Sequence, residues 1–328
     1  MFVGVDGGGS KTAFILVDRE GVVRATHAAG GSYYLSLGME GLGALLSTSL
    51  DALLKKAGVA ASDVDYAFLG LPAHGEDREA TAQMDQLPLQ SLERGSFLCG
   101  NDMICGWAGS LACRDGINVV AGTGSICYGE RLGATARCGG WGELFSDEGS
   151  AYWIACRGLD LFARMSDGRA TRGPLYRMMR ERLGISDDLE LCAHVYVTLG
   201  GDRALIAQLC PLVFEAARAG DPAASAILAQ AADELALLVS TTRGRLGFAS
   251  DEAVDVSYSG GVFEGNGVRE LFASALASHG TYRLREPEFP PVIGAALYAA
   301  RKCGAPLSDT ALARLRASRQ EVVGALKS

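Results

Sequence analysis

Short apolar runs separated by glycine-rich turns open the chain and return near its middle. The first three runs are divided only by tight turns, which predicts two antiparallel hairpins. Residues 40–57 instead carry leucines at helical spacing, and Gly58 is expected to end that helix. In this first part, strands are predicted over residues 2–5, 13–18, 21–29, 64–72 and 96–102.

The pattern restarts at residue 117. The stretch "INVVAGTGSICYGE" runs strand, glycine turn, strand, as "FVGVDGGGSKTAFILVD" does at the start. This repeat predicts an α/β protein of two domains on one plan, 1–115 and 116–328, with a short hinge near Asp115-Gly116. The final helix is expected to pack either on its own domain or back across the hinge. Later helices are predicted over 149–165, 174–183, 202–218, 221–246, 290–303 and 308–326, and a strand over 253–263.

Length and composition agree with this plan and exclude some classes of protein. A chain of 328 residues exceeds most single hydrophobic cores and fits two domains. The hydrophobic content of 48% is that of a globular protein, and the net charge of −8 argues against nucleic acid or an anionic membrane as the main partner. No apolar run approaches the roughly 20 residues that span a bilayer, and the N-terminus lacks the features of a signal peptide. A cytoplasmic protein is therefore expected.

Cysteines and histidines give no sign of a metal site. The nine cysteines contain no Cys-x-x-Cys spacing, so free, buried thiols are expected rather than disulfides. The four histidines lack the spacing that zinc ligands show. Zinc held by protein ligands is therefore not expected.

Three consecutive glycines, Gly7 to Gly9, stand between the first two predicted strands. Their bare amides, with the Ser10 and Thr12 hydroxyls and the Lys11 ammonium, can face the phosphates of a nucleotide. Asp6 ends the strand and is placed to hold Mg²⁺ through water, because Mg²⁺ keeps most of its hydration. A plain Asp-Gly hairpin turn is the alternative interpretation.

Two later glycine turns follow predicted strands in the second half. The "AGTGS" turn at 121–125 alone predicts only a plain turn, but its place in the repeat makes it a candidate second phosphate loop. The "SGGVF" stretch at 259–263 can let a flat ring lie against bare backbone. A bulge or a helix entry explains that stretch equally well.

Two polar stretches carry candidate chemistry. Asp102, beside Asn101 at the end of a strand, can accept a hydroxyl proton that lies within hydrogen-bond reach, although such a pair often forms an Asx turn or helix cap. The stretch 138–155, "CGGWGELFSDEGSAYWIA", combines glycines, two tryptophans and the Asp147-Glu148 pair. Such groups hydrogen-bond sugar hydroxyls and cover a sugar face. The acidic pair alternatively marks a helix entry.

Together these motifs resemble the N-acetylglucosamine kinases of the BadF/BadG/BcrA/BcrD group, within the actin, Hsp70 and sugar-kinase superfamily. The resemblance runs from "GVDGGGSKT" through "GND", "AGTGS", the "CGGWG" to "AYWIA" stretch and "SGGVF" to "PPVIGAAL" at 290–297. It implies two actin-like, ribonuclease H-like ATPase domains with mixed sheets flanked by helices and an interdomain cleft. It also implies ATP and Mg²⁺ as cofactors, an amino sugar as substrate, and a homodimer.

The resemblance further implies a role for each matching residue. Asp6 would anchor Mg²⁺, and Asp102 would be the base that takes the proton from the 6-hydroxyl of the sugar during phosphoryl transfer. Gly260 and Gly261 would flank the adenine or ribose. The remaining nucleotide-binding residues would be Gly8, Gly9, Ser10, Lys11, Thr12, Gly122, Thr123 and Gly124. The sugar would be held by Tyr33, Asn101, Asp102, Thr123, Gly124, Gly140, Trp141 and Asp147.

Two positions depart from the family pattern. Tyr33 stands where many members have an asparagine that is expected to touch sugar hydroxyls, and a phenol there would narrow or re-aim the pocket. Ser146 replaces the glycine that usually precedes "DEGS", which is a milder change. N-acetylglucosamine is therefore expected first, with glucosamine or N-acetylmuramate as alternatives.

Two other classes of protein stay open as alternatives. An ATP-dependent activator of an acyl-CoA dehydratase or reductase would hold an iron–sulfur cluster and typically has a cysteine before the second phosphate loop, where this chain has "NVVA". A non-catalytic sugar sensor would usually carry a DNA-binding segment, and no basic helix is seen in the sequence. Both are less favoured than a kinase.

Overall fold

Strands and helices fall into two groups along the computed structural model, which describes residues 1–93, 95–264 and 267–327. The strands are β1 (Phe2–Asp6), β2 (Lys11–Val17), β3 (Val23–Gly30), β4 (Tyr66–Leu71), β5 (Phe97–Asn101), β6 (Gly116–Ala121), β7 (Ser125–Arg131), β8 (Ala134–Gly139), β9 (Val254–Ser259) and β10 (Tyr282–Arg285). The α-helices are α1 (Tyr34–Ala57), α2 (Arg78–Met84), α3 (Met103–Leu111), α4 (Ala151–Ser166), α5 (Pro174–Leu183), α6 (Glu190–Ala193), α7 (Arg203–Ala207), α8 (Cys210–Arg218), α9 (Pro222–Arg245), α10 (Val268–His279), α11 (Pro291–Lys302) and α12 (Asp309–Lys327).

Each group of strands forms a five-stranded mixed sheet, in the orders β3-β2-β1-β4-β5 and β10-β9-β6-β7-β8. In the first sheet β1, β2 and β3 are antiparallel and β4 runs parallel to β1; in the second sheet β6, β7 and β8 are antiparallel and β9 runs parallel to β6. The glycine turns thus join the first two strands of both sheets. This confirms the predicted α/β plan of two mixed sheets flanked by helices.

The chain divides into two compact units, one made of Met1–Asp115 with Arg285–Ser328 and the other of Gly116–Leu284. The sequence pattern assigns all of 116–328 to a second domain, whereas the structure places the segment from Arg285 in the first unit. Helix α11 packs closely against β1 in that unit. A Cβ on Gly4 of β1 would overlap the backbone of Ala296 in this helix. Small residues at this crossing allow helix and sheet to approach closely.

The last helix, α12, also packs within the first unit. The Arg314 guanidinium donates a hydrogen bond to the Glu20 carbonyl (2.5 Å), and Leu315 is fully buried against the face of Ile15 and Val17. The sequence left open where this helix packs. The structure therefore places it beside the three-stranded antiparallel part of the first sheet.

Two helices, α1 and α9, are long and apolar enough to cross a membrane by length and composition alone. Both direct apolar side chains into a core, and α1 bends at Gly38, which has φ 72° and ψ 163°. Burial in the two cores accounts for the apolar composition of both helices. The fully buried side chains include Leu42, Leu46, Leu50 and Leu53 of α1 and Ala231, Leu235 and Val239 of α9.

Candidate functional site

The triple-glycine turn between β1 and β2 is fixed by backbone hydrogen bonds. The Gly7 amide donates to the Gly70 carbonyl at the end of β4 (2.8 Å), and the Ser32 amide donates to the Gly8 carbonyl (2.9 Å). Gly9 and Ser10, at the tip of the turn, are exposed. The first predicted phosphate loop is therefore anchored at both sides, with its tip open to solvent.

Two buried hydroxyls lie at this loop. Thr12 and Ser32 are both 0% exposed, and among the described residues neither hydroxyl has a hydrogen-bond partner. The Ser32 Oγ is 2.5 Å from the place that a Cβ on Gly7 would take, so glycine is needed there for space. Because buried hydroxyls are normally satisfied, these two are candidate donors to a ligand or water at the loop. Thr12 was predicted from the sequence, and Ser32 was not.

Lys11 is directed elsewhere in this structure. Its Nζ donates to the Leu326 carbonyl near the C-terminus of α12. The carbonyl end of a helix carries partial negative charge, which favours an ammonium group there. The expected contact between Lys11 and a nucleotide phosphate stays a prediction.

Asp6 is partly buried at the end of β1, near the Asp102 carboxylate. Burial, and next the negative charge of Asp102, raise the pKa of the Asp6 carboxyl to about 8, while a hydrogen bond with Cys105 partly opposes the shift. Burial also holds the pKa of the Cys105 thiol well above its usual range, so this group stays a neutral donor. Cys105 was not predicted as part of the site.

These two carboxylates suit a magnesium ion. A divalent cation beside Asp6 would offset the repulsion from Asp102 and favour the ionised carboxylate. Within the ranges that the structure describes, no three His, Cys, Asp or Glu residues are grouped to hold a metal. Mg²⁺ needs few protein ligands, because it keeps several waters and takes phosphate oxygens from a nucleotide. The residues at the end of β1 therefore fit Mg²⁺ bound together with a nucleotide.

Asn101 and Asp102 take different positions at the end of β5. Asn101 is 7% exposed; its Nδ2 donates to the His74 carbonyl (3.3 Å), and its Oδ1 accepts from the Met103 amide (3.1 Å). Asp102 is the N-cap residue of α3, and its side chain makes no capping bond to that helix. The structure thus gives Asn101 the local Asx-type bond that the sequence left open, and it leaves Asp102 beside Asp6.

The second glycine loop lies against the start of α4. The Ala151 amide donates to the Gly122 carbonyl (2.8 Å), and the Tyr152 amide donates to the Thr123 carbonyl (3.3 Å). The Ser150 Oγ caps the helix by accepting from the Trp153 amide (3.1 Å). Helix α4 therefore fixes the loop, while the Thr123 side chain stays exposed.

The third glycine loop meets the second. The Val262 amide donates to the Ala121 carbonyl (3.0 Å). Gly260 has φ 100°, and a Cβ there would overlap the same carbonyl, so both its conformation and its space require glycine. Gly261 has open space around its Cα.

A cavity of about 720 Å³ opens beside these two loops. Gly122, Thr123 and Gly261 line one side of it, and α7 and α8 line the other. Its polar lining residues are Gln208, Glu215, Arg218 and Glu264. The cavity is of the size that small-molecule sites have. The sequence analysis predicted the glycines as binding residues. It predicted 202–218 as a single helix without a role in the site, so the wall formed by α7 and α8 was not predicted.

Asp147 is buried, at 2% exposure, and has φ 62°. Its Oδ2 lies 2.5 Å from the Nη2 of Arg203, at the start of α7. Burial raises the pKa of Asp147, and the Arg203 charge opposes that shift. Arg203 was not predicted from the sequence, where only its charge in the short helix "RALIA" sets it apart.

The glycine-rich stretch before Asp147 is an exposed loop. Gly140 has φ 68°, and a Cβ there would stand 2.6 Å from the Ile126 side chain. The apolar side chains that follow are largely exposed, at 72% for Trp141, 87% for Leu144 and 75% for Phe145. The loop thus presents Trp141 to solvent.

Each unit therefore brings together part of the predicted site. In the first unit, Asp6, Thr12 and Asp102 lie at one edge of the sheet, and Tyr33 follows the buried Ser32 just before α1. In the second unit, the loops 121–125 and 259–263 share one cavity wall, and Asp147 lies against Gly124.

Comparisons with known proteins agree with these motifs. An N-acetyl-D-glucosamine kinase of Dictyostelium discoideum is 29% identical over 313 residues, covering 91% of this chain and 97% of that protein. An N-acetylmuramic acid/N-acetylglucosamine kinase of Clostridium acetobutylicum is 30% identical over 272 residues, covering 82% of this chain and 87% of that protein. The crystal structure of a candidate N-acetylglucosamine kinase from Chromobacterium violaceum superposes with a TM-score of 0.69 at 27% identity, covering 90% of this chain and 97% of that chain.

A family model matches most of the chain. It spans residues 3–299 and so includes both predicted phosphate loops, the polar stretch 138–155 and helix α11. The fold, the glycine loops and this match lead to one conclusion: the chain belongs to the BadF/BadG/BcrA/BcrD ATPase family.

Proposed function

We propose that this protein is an amino-sugar kinase that transfers the γ-phosphoryl group of ATP to the 6-hydroxyl of N-acetylglucosamine. The observation that carries the proposal is the placement of the Asp102 carboxylate beside Asp6, at the edge of the sheet where the first phosphate loop begins. The Asp6 carboxylate can bind a hydrated metal ion, and the Asp102 carboxylate can accept the proton of a reacting hydroxyl. The amino-sugar kinases among the relatives support the substrate class.

Asp102 acts as the general base in this proposal. A carboxylate within hydrogen-bond reach of the 6-hydroxyl accepts its proton as the oxygen attacks the γ-phosphorus. The leaving group is ADP. Mg²⁺, when bound, would neutralise phosphate charge, and Asp6 is the residue that would hold it through water.

In this proposal, residues of all three glycine loops bind the nucleotide. The amides of Gly8 and Gly9 and the hydroxyls of Ser10 and Thr12 face the terminal phosphates, with Gly122 to Gly124 as the second loop. The adenosine occupies the cavity beside Gly260 and Gly261. Support for this comes from the buried, unsatisfied Thr12 hydroxyl and from the size of the cavity.

The sugar is held by Asp147, Gly140, Trp141, Thr123, Gly124, Asn101 and Tyr33 in this proposal. N-acetylmuramate is the second candidate substrate, because a 30% identical relative carries that sugar in its name. Glucosamine is a further alternative. A cytoplasmic protein is expected from the sequence, and the resemblance implies a homodimer.

The first experiment measures ADP release from Mg-ATP by the purified protein, with N-acetylglucosamine, glucosamine, N-acetylmuramate, N-acetylmannosamine and glucose tested separately. Strong stimulation by N-acetylglucosamine, with a 6-phosphate product identified by NMR, is expected. Stimulation by N-acetylmuramate instead would select the second candidate. No stimulation by any sugar would contradict the kinase, and an iron and sulfide assay would then test the activator alternative.

A further inference from the structure

Arg203 lies where several parts of the second unit's site meet. Its Nη2 is 2.5 Å from Asp147 Oδ2, and its Nη1 is 3.3 Å from Glu143 Oε2. Both acidic residues belong to the stretch that connects β8 to α4. One guanidinium thus holds two points of this loop, through the geometry that arginine offers to carboxylates.

The same guanidinium lies against the second phosphate loop. A Cβ on Gly124 would overlap Arg203 Nη2 and would stand 2.6 Å from Asp147 Oδ2. Glycine is therefore needed at 124 for space, since the ion pair fills the place of a side chain. Asp147, Arg203 and the backbone of Gly124 form one packed group.

The ion pair also influences the pKa of Asp147. Burial is the largest influence and raises the pKa of Asp147, as do the charges of Glu143 and Glu148 to a smaller extent. The Arg203 charge and the Ser125 backbone amide lower it. A buried carboxylate that loses a cationic partner takes up a proton more readily.

Helix α7 connects this group to the cavity. Ala204 and Ala207, on the same short helix as Arg203, line the cavity together with Gly122 and Thr123. The side chain of Asp202 caps the helix by accepting from the Leu205 amide (2.8 Å). Arg203 is thus mounted on a capped helix at the wall of the cavity.

We propose that Arg203 is a positioning residue that holds Asp147 as an ionised hydrogen-bond acceptor, at a fixed place beside Gly124, for a hydroxyl of the sugar. The proposal rests on the proposed sugar-kinase function. An ionised Asp147 can only accept hydrogen bonds, whereas a protonated one would also donate. Arg203 therefore selects a donor group of the substrate at this position.

The test compares Arg203→Gln and Arg203→Lys with the matched surface control Arg177→Gln, an exposed residue of α5 paired with Glu181. In Arg203→Gln, the KM for the sugar rises about 10- to 100-fold and rises more than the KM for ATP, because the misplaced Asp147 is the group that contacts the sugar. Arg203→Lys recovers part of the loss because it keeps the charge. Arg177→Gln behaves as the wild type.

A pH profile separates positioning from a merely structural role. Without the guanidinium, the pKa of Asp147 rises, so the acid limb of kcat/KM for the sugar moves to higher pH in Arg203→Gln. In an Asp147→Asn background, adding Arg203→Gln causes little further loss, since the carboxylate to be positioned is gone. Unchanged sugar KM and an unmoved acid limb in Arg203→Gln, or additive losses in the double variant, would overturn the proposal. A wild type that phosphorylates no sugar would instead remove the proposed function, and this proposal with it.

Discussion

Gly294 of α11 lies so close to Gly109 of α3 that a Cβ on Gly294 would stand 2.7 Å from the Gly109 Cα. The two residues are far apart in sequence, and one belongs to the segment that returns to the first unit after the second is complete. The missing side chains let the two helix backbones meet. This contact is one reason that the segment from Arg285 packs in the first unit.

The contact makes Gly294→Ala destabilising. The added methyl group would overlap backbone atoms of Cys105 and Gly109, which cannot easily move aside, so a loss of about 1–3 kcal/mol in the free energy of unfolding is expected. Gly324→Ala in α12 is the matched control, because nothing lies within 4 Å of its Cβ position. Removing the flexibility of an exposed helical glycine leaves stability unchanged or raises it by up to about 1 kcal/mol. Denaturant unfolding monitored by circular dichroism measures both, and equal effects would refute the packing argument.

The ion pairs of Glu288 make the stability of the first unit depend on pH. Its Oε2 lies 2.5 Å from Arg114 Nη2, and its Oε1 accepts from Arg316 Nε (2.9 Å). Although partial burial opposes them, these two guanidinium groups lower the pKa of the Glu288 carboxyl below its usual value of 4.5. A lowered pKa in the folded state means stabilisation that is present above pH 4.5 and is lost as the pH falls through the folded-state pKa.

Glu288→Gln is therefore expected to destabilise the protein at pH 7 by on the order of 1 kcal/mol, with the difference from wild type vanishing in acid. Glu181→Gln, which breaks an exposed pair on α5, serves as the control and should change little at either pH. Thermal unfolding from pH 3 to pH 7 measures the difference. A constant difference across that range would show that charge pairing at Glu288 is not its source.

Asp102→Asn tests the proposed base. An amide cannot accept the hydroxyl proton, so kcat is expected to fall by about 10²- to 10⁴-fold. Nucleotide binding, measured by calorimetry with Mg-ADP, is expected to survive. Glu79→Gln, an exposed residue of α2, is the control for loss of a carboxylate in the same unit. A variant that keeps most of its turnover would show that Asp102 is not the base.

Gly261→Leu tests the assignment of the cavity to the nucleotide. The Cβ position at Gly261 is open, so leucine would project into the cavity rather than disturb the fold. The Kd for ADP is expected to rise by about 10- to 100-fold, because the leucine side chain would occupy part of the space that the nucleotide needs. Gly324→Leu, on the exposed face of α12, provides the control for the added apolar side chain. Unchanged ADP affinity in Gly261→Leu would place the nucleotide elsewhere.

Local patterns were sufficient for the repeated plan of this protein. Alternating and helical spacing of apolar residues marked β1, β2 and α1, and the two glycine turns marked equivalent places in both sheets. These features depend on neighbours in sequence, so they are readable from it. One helix boundary was missed: the predicted helix 202–218 is two helices, α7 and α8, which are separated at Gln208 and Leu209. Pro211 lies in the first turn of α8 and has no backbone N–H with which to continue α7.

The sequence also supplied most of the candidate site, because carboxylates and glycines at strand ends are conspicuous. It did not supply the partners that fix them. Arg203 pairs with Asp147, which is 56 positions away in the sequence. Cys105 of α3 lies beside Asp6 at the end of β1, about 100 positions away in the sequence. Such pairs have no local signal, since a charged or polar residue in a helix is usually solvated.

Sequence alone thus determined the order of elements, the glycine loops and the family resemblance, all of which rest on short-range pattern. Only the tertiary structure decided that the segment from Arg285 packs in the first unit and that Lys11 donates a hydrogen bond near the end of α12. It also decided that Arg203 forms an ion pair with Asp147 beside Gly124. The physical reason is that these outcomes depend on clearance and charge between distant segments. A Cβ at Gly4, Gly294 or Gly124 would exclude the contacts, and that clearance exists only once the chain has folded.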